Sequence, residues 1–124
     1  MQDISKAKLD LDPTLNEIIK VDVLRTFTLD SNFPRNRLLN ILECGTVALL
    51  HGASYCQGMN YMAGLLYYLS DSDEEIFQLY VSLIENKMTP IFNSGFQKLK
   101  SYFYVLDNLM HMYIPDINEA LKVF

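Results

Sequence analysis

An all-α fold is what this sequence predicts, on three observations. Apolar residues recur at steps of three and four along nearly the whole chain, the period of one helix face. Helix starts and stops punctuate that pattern at Asp12-Pro13, Pro34, Gly52, Asp71-Ser72-Asp73 and Pro115-Asp116. No alternating apolar and polar run flanks an Asn-Gly or Asp-Gly turn, the short-range signature of a hairpin. About five or six helices and no sheet are expected.

Asp12 reads as an N-cap with Pro13 at the first helical position, opening a helix that carries Leu15, Ile18 and Ile19. It should end near Arg25 to Phe27, leaving Thr26 to Phe33 as a loop and Arg25 where helix gives way to it. Pro34 opens a second helix through Leu38, Ile41, Leu42 and Leu49, with Gly52 at the C′ position. The third, from about Tyr55 to Leu69, is apolar on almost every side and is expected to be the most buried. Gln57 and Asn60 are its main polar exceptions, at the end that should reach the surface. Asp71-Ser72-Asp73 caps a fourth helix, with Ile76, Leu79, Tyr80, Leu83 and Ile84 on one stripe. Thr89-Pro90 should break the chain. A fifth helix carries Phe96, Leu99, Phe103, Leu106, Met110 and Tyr113, and a last one begins at about Ile117.

Composition narrows the function. The 124 residues can bury a single core, and half are hydrophobic. Ten basic residues stand against fifteen acidic ones, a net charge of −5, with no Lys/Arg cluster. That balance disfavours a nucleic-acid or anionic-membrane surface. Cys44 and Cys56 form no C-x-x-C and have no histidine at metal-ligand spacing, so reduced thiols are expected rather than zinc. The N-terminus lacks the order of a signal peptide. The apolar run Tyr61 to Leu69 falls far short of the ~20 residues that span a bilayer. A cytoplasmic protein is expected. The glycines are scattered with no G-x-x-x-x-G-K-[ST], so the chain has no phosphate cradle of its own.

Two segments carry candidate chemistry: Ile19-x-x-Asp22-x-x-Arg25, and Tyr55-Cys56-Gln57-Gly58-Met59-Asn60. Alone, Asp-x-x-Arg is an i,i+3 ion pair on a helix surface worth a few tenths of a kcal/mol. Alone, a glutamine at a helix start is a solvated side chain. Together they supply an arginine and a glutamine, the pair that GTP hydrolysis needs. Arginine neutralises charge developing on the transferred phosphoryl group, and glutamine orients the attacking water. An amide suits that task because it accepts from water and donates to a phosphate oxygen at once. Gly58 would let backbones approach closely beside Gln57. Tyr55 is a candidate partner contact and support, Asn60 a structural residue, and the methionines core fillers.

With Val23, Thr26 and Phe27 around the first segment and Gly58-Met59-Asn60 after the second, the pair resembles the I-x-x-D-x-x-R and Y-x-Q motifs of the TBC family of Rab GTPase-activating proteins. The resemblance implies that Arg25 is an arginine finger and Gln57 a glutamine finger, both supplied in trans to a GTP-bound Rab protein. It makes Asp22 the residue that holds the arginine, with Tyr55 in support. It implies no cofactor, since GTP and magnesium belong to the partner, and a role in membrane traffic, peripheral to endomembranes through partners. Residues 1–12 are expected to be a lead-in and 13–124 the first lobe of such a domain, with its second lobe absent. The family's upstream R-x-x-x-W motif is missing, and Ser54 stands where Gly is usual. A different class of function also fits: a helical scaffold whose unburied faces pack on another chain.

Overall fold

A computed structural model describes residues 11–49, 54–92 and 94–122. Among these there is no strand. Six helices of seven residues or more follow in order: α1 (Pro13–Leu24), α2 (Arg35–Ala48), α3 (Met59–Leu66), α4 (Asp73–Leu83), α5 (Gln97–Tyr113) and α6 (Pro115–Leu121). After α4 come a π-helical turn, Ile84–Met88, and a short helix, Thr89–Phe92. The chain divides into two units, residues 1–89 and 90–124.

In the first unit α2 is central, touching α1, α3 and α4. Its core joins Ile19 and Val23 of α1, Leu38, Ile41 and Leu42 of α2, Met59 and Ala63 of α3, and Ile76 and Tyr80 of α4. Each large side chain so buried contributes roughly 1.5–3 kcal/mol. Local signals start the helices as expected. The Asp12 carboxylate accepts from the Thr14 N–H at 2.9 Å with Pro13 behind it. Ser72 caps α4 through the Glu75 N–H at 3.4 Å. The expected C′ glycine, Gly52, lies outside the described residues.

The third helix departs from expectation. It starts at Met59, not Tyr55, because Gly58 takes φ +108°, a left-handed conformation that no helix can run through. At its other end i→i+3 bonds from the Tyr67, Tyr68 and Leu69 N–H groups tighten the chain into turns. Met59, Asn60, Ala63 and Gly64 face inward, whereas Tyr61 and Leu65 are exposed. It is therefore one-sided, and apolar composition on its outer face did not signify burial.

Two smaller corrections concern proline. Helical structure continues past Pro90, which sits in the first turn of Thr89–Phe92, where no N–H is needed. The π-turn ahead of it sends both the N–H and the hydroxyl of Thr89 to the Ile84 carbonyl. Positive φ at Gly95 and Phe96 makes the sharp change of direction instead. The last helix begins at Pro115 rather than Ile117.

In the second unit α5 packs on α6, and Asn118 is buried with its amide 3.5 Å from the Asp107 carbonyl. Of the expected apolar stripe of α5, Leu99 and Met110 are half-buried, whereas Phe103, Leu106 and Tyr113 are exposed.

Candidate functional site

Helix α1 ends at Leu24, and Arg25 closes it with φ −92° and ψ 0°. Leaving from the last turn, its side chain points to solvent and stays 45 % exposed, while Asp22, one turn earlier, is 3 % exposed. Asp22 Oδ1 accepts from Arg25 Nη2 in a charge-assisted bond. The second carboxylate oxygen, Oδ2, accepts from the Tyr55 hydroxyl at 2.6 Å. Burial, and then the bond to Asp22, push the Tyr55 hydroxyl well above its usual pKa, so it remains a donor. Tyr55 is buried, which makes it a brace for Asp22 and not the surface contact that the sequence suggested.

Gln57 lies in the turn before α3 and is exposed. Its amide rests against the Arg25 guanidinium. With the carbonyl oxygen turned toward that group it accepts from Nη1 at 3.1 Å and from Nη2. Residues 32 positions apart thus meet at one surface point.

Beneath them lies a buried polar network. Asn60, 0 % exposed, donates from Nδ2 to Thr26 Oγ1 at 2.8 Å and to the Asp22 carbonyl at 3.3 Å. Its Oδ1 accepts from the Gly58 N–H at 3.0 Å, with the Tyr55 hydroxyl 3.5 Å away. The Thr26 hydroxyl donates in turn to the Asp22 carbonyl at 2.7 Å. A network whose members are paired is rigid, and low local dielectric strengthens it.

The loop after Arg25 is held from several sides. Phe27 takes φ 45°, a left-handed conformation costing a bulky residue about 1–2 kcal/mol. Arg35 offsets this by donating to the carbonyls of Thr26, Phe27 and Asp30 at 3.1–3.3 Å. The Phe27 ring meets Phe33, Tyr61 and Tyr68 edge-on at centroid distances of 5.2, 5.8 and 5.8 Å. Gly64 lets α3 come this close, since a Cβ there would lie 2.9 Å from Phe27 Cε2 and 3.3 Å from Thr26 Cγ2. The Tyr61 hydroxyl donates to the Arg25 carbonyl at 3.4 Å.

The four candidate residues Asp22, Arg25, Tyr55 and Gln57 are therefore one cluster. Sequence reasoning gave no role to Arg35, because its bonds go to backbone carbonyls and leave no side-chain pattern to read. Thr26 was seen only as part of a motif. Surface cavities beside Phe33–Arg37 and beside Glu75–Ser82 include neither Arg25 nor Gln57. Arg25 and Gln57 are the exposed members of the cluster, and Asp22 and Tyr55 the buried ones. Among the described residues no three histidine, cysteine or acidic side chains group as a metal site, and no helix is long and apolar enough to cross a membrane.

Comparison with known proteins identifies the family. The family described as Rab-GTPase-TBC domain matches residues 1–124. Growth hormone-regulated TBC protein 1 of Homo sapiens is 28% identical over 120 residues, covering 89% of this chain and 34% of that protein. Growth hormone-regulated TBC protein 1-A of Danio rerio is 30% identical over 121 residues, covering 90% and 33%. Rab GTPase-activating protein tbc-11 of Caenorhabditis elegans is 29% identical over 112 residues, covering 86% and 12%. The chain spans about a third of the length of the first three relatives it matches. No solved structure matches.

Proposed function

Because the chain belongs to the Rab-GTPase-TBC domain family, we propose that it accelerates GTP hydrolysis on a Rab-family small GTPase by supplying Arg25 and Gln57 in trans. The observation that carries this reading is the meeting of guanidinium and amide at one exposed point, anchored by buried Asp22. Arg25 has five N–H donors in a planar fork, and the bond to Asp22 engages one edge of it. Once the Gln57 amide leaves the guanidinium, the donors not held by Asp22 are available to neutralise charge on the phosphoryl oxygens. Gln57 turns its amide from Arg25 to the attacking water, its carbonyl oxygen accepting a hydrogen bond from the water and its NH2 donating one to a phosphoryl oxygen. An arginine finger in trans contributes roughly 10³–10⁵ in rate. GTP and magnesium are the partner's, and the protein acts at whichever membrane that partner occupies. The name of the Caenorhabditis elegans relative supports the partner class.

The test is single-turnover phosphate release from a panel of GTP-loaded Rab proteins, with the complete natural protein and its Arg25→Lys variant. Lysine keeps the charge but loses the fork, so most of the acceleration should vanish. Acceleration undiminished by Arg25→Lys removes the arginine finger. If no Rab responds, the exposed stripe of α5 favours the scaffold reading, in which that face packs on another protein.

A further inference from the structure

We infer that Asn60 is the positioning residue that sets the Arg25–Gln57 separation, acting through Thr26 as its relay. This rests on the reading of Arg25 and Gln57 as the groups delivered to a GTPase. Asn60 is fully buried and cannot touch a partner, yet its two amide ends grip the two different segments that carry those groups. Nδ2 holds the end of α1, through the Thr26 hydroxyl at 2.8 Å and the Asp22 carbonyl at 3.3 Å. Oδ1 holds the Gly58 N–H at 3.0 Å, one peptide after Gln57, in the turn that φ +108° makes possible. Thr26 continues the chain by donating to the Asp22 carbonyl at 2.7 Å. The path from finger to finger is thus short: Gln57 is bonded to Gly58, Gly58 to Asn60, Asn60 to Thr26, and Thr26 is the peptide neighbour of Arg25.

An amide suits this place because it donates at one end, to the Thr26 hydroxyl and the Asp22 carbonyl, and accepts at the other, from the Gly58 N–H. A carboxylate would have nothing to donate to Thr26, and an aliphatic side chain would leave the Gly58 N–H and the Asp22 carbonyl one partner short. The consequence is specific. Loss of the clamp should reduce the step in which both fingers act at one phosphoryl centre, where a displacement of about 1 Å costs on the order of 10²-fold, and leave binding of the GTPase nearly unchanged.

The experiment uses the complete natural protein and the Rab that responds to it best. Hydrolysis of bound GTP is followed at increasing activator concentration for wild type, Asn60→Ala, Thr26→Val, Thr26→Ser and Gln57→Ala, and for Asn60→Ala combined with Gln57→Ala. Asn60→Ala and Thr26→Val should each lower the saturating rate by about tenfold or more with the half-saturating concentration within about twofold. Thr26→Ser, which retains the hydroxyl, should restore the rate to within about twofold of wild type. With Gln57 already removed, Asn60→Ala should cost less than about twofold, since no separation remains to be set. An equal loss in both backgrounds, a loss confined to half-saturation, or no loss at all overturns the proposal and leaves the function standing. If Asn60→Ala is unfolded at the assay temperature, the contrast between Thr26→Val and Thr26→Ser decides. A wild-type protein that activates no Rab overturns both readings together.

Discussion

The Tyr55 hydroxyl donates to the Asp22 carboxylate at 2.6 Å, so the residue that holds the arginine is itself held by the segment that carries the glutamine. One oxygen of Asp22 faces Arg25 and the other faces Tyr55. A carboxylate that is nearly inaccessible to water is thereby fully engaged, which is the condition for keeping a buried charge at all.

Tyr55→Phe should expose the cost of breaking this arrangement. It removes the donor to Asp22 Oδ2 while preserving the ring. The loss expected is about 1–3 kcal/mol of unfolding free energy, the cost of leaving a buried acceptor unmet. Chemical denaturation measures it, and stability equal to wild type would mean that the bond contributes nothing.

Arg25→Ala and Gln57→Ala should be strongly non-additive in the saturating rate of GTP hydrolysis, because both groups serve one transition state. Gln57→Ala should leave the melting temperature within the effect of about 0.5 kcal/mol, since its side chain is exposed, whereas Arg25→Ala should cost about 1–3 kcal/mol, because it leaves the buried Asp22 carboxylate without its cation. The double variant, assayed beside the two singles, should be about as slow as the slower of them. Multiplicative losses would separate the two residues into independent sites.

Gly64→Ala should destabilise the first unit by about 1–3 kcal/mol through overpacking. The added methyl would come 2.9 Å from Phe27 and 3.3 Å from Phe33 and Thr26, in a place fixed by Arg35 and by crossed aromatic rings. Because Thr26 adjoins Arg25, the rate should fall with the stability. A melting curve superimposable on wild type would show that the loop yields easily.

Stability should fall as pH rises through the tyrosine range. Burial raises the hydroxyls of Tyr55, Tyr67 and Tyr80 above their usual pKa, with Asp22 adding to Tyr55 and Asp73 to Tyr67. Below about pH 10 these groups are neutral in both folded and unfolded chains and stability is unaffected. Above it the unfolded chain releases protons that the folded one keeps, so unfolding becomes easier with each step. Denaturant midpoints measured from about pH 8 to pH 11 should be flat and then decline. Tyr80→Phe should make the decline shallower without lowering stability at neutral pH, because the Tyr80 hydroxyl has no partner among the described residues. A neutral-pH loss above about 1 kcal/mol would mean that this hydroxyl is bonded.

Helix starts were legible because capping is local chemistry: Asp12-Pro13 and Ser72 act within a few residues of themselves. The Asp22–Arg25 pair was legible for the same reason, being one helical turn apart. The start of α3 was not, since it depends on Gly58 adopting a positive φ that glycine permits without requiring. Nor was the one-sidedness of α3, because apolar residues such as Tyr61 and Leu65 carry the same pattern whether or not anything covers them.

The sequence alone determined the helical class, the order of elements, and the presence of an arginine and a glutamine beside residues able to fix them. Tertiary structure alone decided that these two side chains touch, that Tyr55 braces Asp22, and that the Asn60 amide joins the segments. The physical reason is range. Periodicity and capping arise from neighbours along the chain, whereas the site is made by hydrogen bonds between residues more than thirty positions apart, whose partners exist only once α1 and α3 have packed.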